Sequence, residues 1–126
     1  MVITGIPRSG TSFFTSSLHR IENCVAINEP EEIFRHLDDI GPPWGMASFY
    51  RSLRTDIGDG RPITNKINGG TVIEDTAILD VETSYAPAIT GNEFLLATKN
   101  TLGYLARIPF LVRAMPGATF VACVRD

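Results

Sequence analysis

A chain of 126 residues has room for one folded domain, and a hydrophobic content of 44% is ordinary for a globular core. A formal charge of −3 excludes a general nucleic-acid binder, which needs surplus Lys and Arg to displace counterions from phosphates. No apolar run approaches the roughly 20 residues that span a bilayer and no signal segment precedes Val2, so the expectation is a soluble cytoplasmic protein without a membrane partner.

Val2-Ile3-Thr4-Gly5-Ile6 is a short apolar run broken by Pro7, the pattern of a buried strand. After Gly10, the residues Phe13, Phe14, Ser17, Leu18 and Ile21 recur at helical spacing, which predicts a helix directly after the loop. Residues 24–28 read as a second strand, ended by Glu29-Pro30, because the residue before a proline is pushed away from helical angles. A short helix is expected over 31–39, stopped by Gly41-Pro42-Pro43, and another over 47–54. Gly and Asp mark 56–62 as a loop, and 63–92 has too little periodicity to assign. Residues 93–98 return to a strand pattern that delivers Lys99 at its C-terminal end. Pro109 suits the first turn of a helix whose apolar stripe is Ile108, Leu111, Val112 and Met115; Pro116-Gly117 stops it. Residues 119–124 form a last strand before Arg125-Asp126. Strands alternating with helices predict one α/β domain, a mainly parallel sheet flanked by helices.

Four polar features fall at expected C-terminal strand ends: the loop 7–12, Glu29, Lys99 and Arg125. In open α/β sheets that edge holds the ligand site. Gly5-Ile6-Pro7-Arg8-Ser9-Gly10-Thr11-Ser12 has the G-x-x-x-x-G frame of a nucleotide P-loop, with Thr11 where that motif requires lysine. The anion-binding physics is retained. Glycines permit close approach of backbone to ligand, successive N–H groups form a nest, and a helix N-terminus adds partial positive charge. Ser9, Thr11 and Ser12 can donate hydroxyl hydrogen bonds, and Arg8 can replace the missing lysine by forking onto a phosphate or sulfate. The plainer alternatives are a tight turn that binds nothing and a surface salt bridge for Arg8. Cys24 and Cys123 have no CxxC spacing and no neighbouring His, so buried free thiols are expected. His19 and His36 fall in expected helices away from the strand ends and read as surface or packing residues. Trp44, Phe49 and Tyr50 can line an acceptor pocket or simply pack.

Pro7-Arg8-Ser9-Gly10-Thr11-Ser12 after a strand is similar to the 5′-phosphosulfate loop of sulfotransferases that use 3′-phosphoadenosine 5′-phosphosulfate (PAPS). A second block agrees. Lys99-Asn100, Arg107-Ile108, Met115-Pro116-Gly117-Ala118-Thr119-Phe120-Val121 and Arg125-Asp126 resemble the stretch leading to that family's 3′-phosphate site. The two blocks cover about the first and last 30 residues, in the family's order, with the middle unmatched. The tyrosylprotein and bacterial or carbohydrate-type enzymes are the most similar branch, since they too carry arginine in the loop. Thr101 departs from the family's proline two residues after the lysine.

The resemblance implies a P-loop NTPase-like sulfotransferase core, with a role for each site residue. Arg8 would contact the sulfuryl group, and the loop from Pro7 through Ser9, Gly10 and Thr11 to Ser12 would hold the 5′-phosphate. Glu29 matches the catalytic glutamate of the tyrosylprotein type, a general base for the acceptor hydroxyl. Its alternative role is a carboxylate paired with the dipole of the helix after Pro30. Lys99 would neutralise the leaving phosphate, or stand as a solvated strand end; Arg125 would grip the 3′-phosphate, or pair with Asp126. No metal is expected, because a sulfuryl group carries less negative charge than a phosphoryl group and fixed cations can serve. PAPS would be the donor, 3′-phosphoadenosine 5′-phosphate (PAP) the product, and a small-molecule, glycan or peptide hydroxyl the acceptor. The family's elements beyond Arg125-Asp126 are not in the sequence, so a truncated chain is expected, with a possible oligomer or partner chain completing the site. Two rival readings stand beside this one: a nucleotide- or anion-binding module without turnover, and a P-loop kinase-like phosphotransferase.

Overall fold

The computed structural model describes residues 1–37, 44–73 and 82–125. Four parallel strands make the main sheet: β1 (Val2–Gly5), β2 (Cys24–Asn28), β7 (Leu95–Lys99) and β8 (Phe120–Cys123), in the order β2-β7-β1-β8. Helix α1 (Thr11–His19) follows β1, and a 3₁₀ turn (Glu31–His36) follows β2. Helix α2 (Trp44–Gly58) leads to two small antiparallel pairs. These are β3 (Ile63–Asn65) with β6 (Thr83–Tyr85), and β4 (Ile67–Asn68) with β5 (Thr71–Val72). Helices α3 (Leu102–Leu105) and α4 (Ile108–Ala114) connect β7 to β8. The fold is therefore α/β, a four-stranded parallel sheet flanked by helices.

The sheet is parallel because its strands are apolar on both faces. Val2 and Ile3 in β1, and Val25, Ala26 and Ile27 in β2, are all buried, so neither face can be left to water. On one face Val2, Val25, Ile27 and Leu96 join Met46, Phe49, Leu53 and Ile57 of α2 in the main core. On the other, Ile3, Ala26 and Ala97 pack with Phe14 and Leu18 of α1.

Helix α1 corrects part of the sequence-based expectation. Phe13 of the expected apolar stripe is 63% exposed and Ile21 is exposed, whereas Thr11, Thr15 and Ser16 are buried. Small side chains let the helix lie close to a sheet face made partly of alanine, and the Thr15 hydroxyl satisfies itself on the Thr11 carbonyl at 2.8 Å. The helix expected over 47–54 is longer, running into the stretch read as a loop from residue 56. The short helix expected over 31–39 is instead a 3₁₀ turn that ends at His36; residues 38 and 39, and the stop at Gly41-Pro42-Pro43, lie outside the described residues. Cys24 is a buried free thiol as expected, while Cys123 is half-buried. Both histidines pack against rings, His19 edge-on to Tyr85 at 5.8 Å and His36 stacked on Phe49 at 5.0 Å.

Tyr50 and Tyr104 tie the helical layer to the sheet through a polar knot. Thr98 Oγ1 in β7 lies 2.6 Å from the Tyr104 hydroxyl and also bonds the Tyr50 hydroxyl, which donates to the Met1 carbonyl at 2.8 Å. Burial pushes both phenols above their usual range, so they remain neutral donors. Phe49 and Tyr50 thus pack, and the side chain of Trp44 is outside the described residues. Among the described residues no helix is long and apolar enough to cross a membrane.

Candidate functional site

The register of the sheet brings the expected polar features to one edge. Asn28 at the end of β2 and Ile3 in β1 both pair with Lys99 at the end of β7, and Gly5 pairs with Cys123 in β8. Glu29, Lys99, the loop 7–12 and Arg125 follow those strand ends in spatial order across the sheet.

The loop is built on two close approaches of backbone. A Cβ on Gly5 would come 2.3 Å from the Cys123 carbonyl oxygen and 2.8 Å from Ser9 Oγ, so only glycine lets β1 turn into the loop beside β8. Arg8 and Gly10 then take left-handed angles, φ 68° and 85°. Gly10 stands at the N-cap of α1, and no side chain caps the helix start. The first amides of α1 are therefore not taken up by a side-chain cap, an arrangement that can receive an anion. Ser9 Oγ is buried with no hydrogen-bond partner among the described residues, an orphan donor inside the loop. Arg8 itself is exposed.

Lys99 links this loop to Glu29. Its side chain is 2% exposed, and its Nζ donates to Glu29 Oε1 at 2.7 Å and to Ser12 Oγ at 3.0 Å. Glu29 is 23% exposed at its side chain and has φ 45°, with its N–H bonded to the Lys99 carbonyl at 2.9 Å. Burial alone would push the Glu29 carboxyl up; the hydrogen bond and charge of Lys99, the Thr101 hydroxyl and the charge of Lys66 outweigh it and hold the carboxyl below its ordinary value. The cluster is a carboxylate, a buried ammonium and a hydroxyl at the helix start, joined directly.

Sequence reasoning placed Glu29, Lys99 and Ser12 at this edge, and they meet. It missed three residues. Thr101 donates its hydroxyl to Glu29 Oε1 at 3.1 Å. Lys66, buried, adds its charge from the short connection between β3 and β4. Asn65 accepts from the N–H of Asn28 at 2.8 Å and of Lys66 at 2.9 Å, which seats Lys66 beside the end of β2. A signal existed for Lys66, a lysine between Asn65 and Ile67 in a stretch otherwise apolar or neutral, but it is the bonding of Asn65 to Asn28 and the Ala26 carbonyl in β2 that sets it beside this edge. Arg125 is exposed two residues past β8, and its alternative partner Asp126 lies outside the described residues. No protein-family model, curated protein or solved structure matches this chain.

Proposed function

We propose that this chain binds PAPS through the loop 7–12 and transfers its sulfuryl group to a hydroxyl acceptor, with a P-loop-like sulfotransferase core as its framework. The observation that carries the reading is the Glu29–Lys99–Ser12 cluster beside an uncapped, glycine-built helix start. A structural ion pair alone would not need the third member, a hydroxyl in the first turn of α1. The residues fit the donor: the Ser9 hydroxyl is an orphan and the α1 amides lack a side-chain cap, so an anion would satisfy groups that the protein leaves open.

The donor supplies an activated sulfuryl group: the acceptor oxygen bonds to sulfur while the sulfur–oxygen bond to the nucleotide breaks, and the electron pair leaves with the 5′-phosphate. Glu29 takes the acceptor proton. Arg8 and Lys99 hold the charge that accumulates on the departing oxygen, the former as a bidentate fork and the latter as a buried point charge. Arg125 would bind the 3′-phosphate. A module that binds without turnover is the second reading, favoured by the exposure of Arg125 and by an outer side of β8 with no partner strand among the described residues.

Calorimetric titration of PAP into the chain and into Arg8→Ala, with EDTA present and ATP as the comparison ligand, tests the proposal. Metal-free binding that prefers PAP and falls at least tenfold in Arg8→Ala is expected, a loss of about 1.4 kcal/mol or more for a charge-assisted contact. Magnesium-dependent preference for ATP, or no binding of PAP, sinks it; PAP binding without sulfate transfer selects the second reading.

A further inference from the structure

A threonine at a helix N-cap ordinarily spends its side-chain oxygen on the first turn of that helix. Thr101, the N-cap of α3, makes no such bond. Asn100 does that work, its Oδ1 accepting the Gly103 N–H at 2.8 Å. The Thr101 hydroxyl is left to donate to Glu29 Oε1. Its direction is fixed from β1: buried Thr4 donates to the Thr101 carbonyl at 2.8 Å, and the Asn100 N–H bonds the Ile3 carbonyl at 3.1 Å. The strand that carries the anion loop therefore also aims the hydroxyl at the carboxylate.

Lys99 and Thr101 meet the same carboxylate oxygen but respond differently to an anion. Lys99 Nζ already reaches the loop helix at Ser12, and its charge is drawn by any phosphate bound there. The Thr101 hydroxyl is neutral and its own carbonyl is tied to β1 by Thr4, so its bond to Glu29 survives. Among the described residues, Lys66, between β3 and β4, adds its charge to Glu29; the exposed Glu31 and Glu32 follow Pro30, and the Glu82 carboxylate accepts the Glu31 N–H at 2.7 Å.

Building on the transfer reaction above, we propose that Thr101 is a positioning residue for the base: its hydroxyl keeps the Glu29 carboxylate in place when Lys99 turns to the phosphate of the donor. A hydrogen bond donated to the ionised form favours that form, so removing it makes Glu29 titrate higher.

The test follows the Glu29 carboxyl carbon by NMR across pH in the wild-type chain, Thr101→Val and Thr101→Ser, each with and without PAP. Glu29 should titrate higher in Thr101→Val, the gap should widen with PAP bound, and Thr101→Ser should restore the wild-type curve. The acid limb of the sulfate-transfer profile should move to higher pH in step. An unchanged Glu29 curve in Thr101→Val, or a change that Thr101→Ser leaves in place, overturns the role. If Thr101→Val does not fold, Thr101→Ala takes its place with the same expectation. Absence of any PAP effect in all the proteins defeats the donor-site reading instead, and the ligand-free curves still decide whether Thr101 holds Glu29.

Discussion

Glu29 occupies a left-handed backbone angle that a non-glycine residue adopts at a cost of about 1 kcal/mol, and it is kept there by Lys99 through both backbone and side chain. The pair makes stability depend on pH with a definite sign. The folded carboxyl is held below the ordinary value of 4.5, so the unfolded chain takes up its proton first on acidification. The stabilisation is fully present above that value and is lost as pH falls through the folded one. Glu29→Gln should therefore cost about 2 kcal/mol at neutral pH, mostly from leaving the buried Lys99 ammonium without its counter-charge. Urea unfolding at a series of pH values should show the gap between the two proteins closing as pH falls below 4.5; a gap constant with pH would mean that the ionised pair adds nothing. Glu29 and Lys99 were legible in the sequence because a strand end is a place that periodicity can find. Thr101 and Lys66 were not, because their part depends on which oxygen a side chain reaches after β1, β3 and β7 have been brought together.

The β1–loop–α1 unit contains two glycines that do different things. Gly5 has no space for a Cβ against the backbone of β8, whereas Gly10 has open space but a φ of 85°. Gly5→Ala must push β1 and β8 apart, at about 2 to 3 kcal/mol, while Gly10→Ala carries only the backbone strain of about 1 kcal/mol. Equilibrium denaturation of the two variants checks the order, and equal losses would mean that β8 yields easily. The main strands and the helices after β1 and before β8 could be read from the chain because each has a clear period or a proline at its start. The buried face of α1 could not. Its Thr11, Thr15 and Ser16 carry hydroxyls that a hydrophobic pattern counts as outward, and their selection by a close-lying sheet is a tertiary effect. The pairs β3–β6 and β4–β5 are two or three residues per strand, too short for any period to show.

The outer side of β8 has no partner strand among the described residues, and the strand is only half-buried where the other three are largely covered. Val124, just beyond it, is 77% exposed. Such an edge is a template for pairing with another chain. Val124→Lys should reduce light scattering on concentration and leave stability within about 0.5 kcal/mol; unchanged self-association would show that this edge is not the sticky surface. The α/β class followed from strand–helix alternation, but the order β2-β7-β1-β8 did not, since it depends on where the long middle segment returns the chain. That order sets when the molecule can begin to exist during synthesis. Neither β1 nor β2 pairs with the other, and both wait for β7, which starts at Leu95. Loop closure over more than 60 residues must precede the first main-sheet bond, a topology that folds slowly and leaves apolar strands uncovered meanwhile. A nascent chain that has not reached Leu95 holds the loop 7–12 in its sequence and no main sheet to carry it.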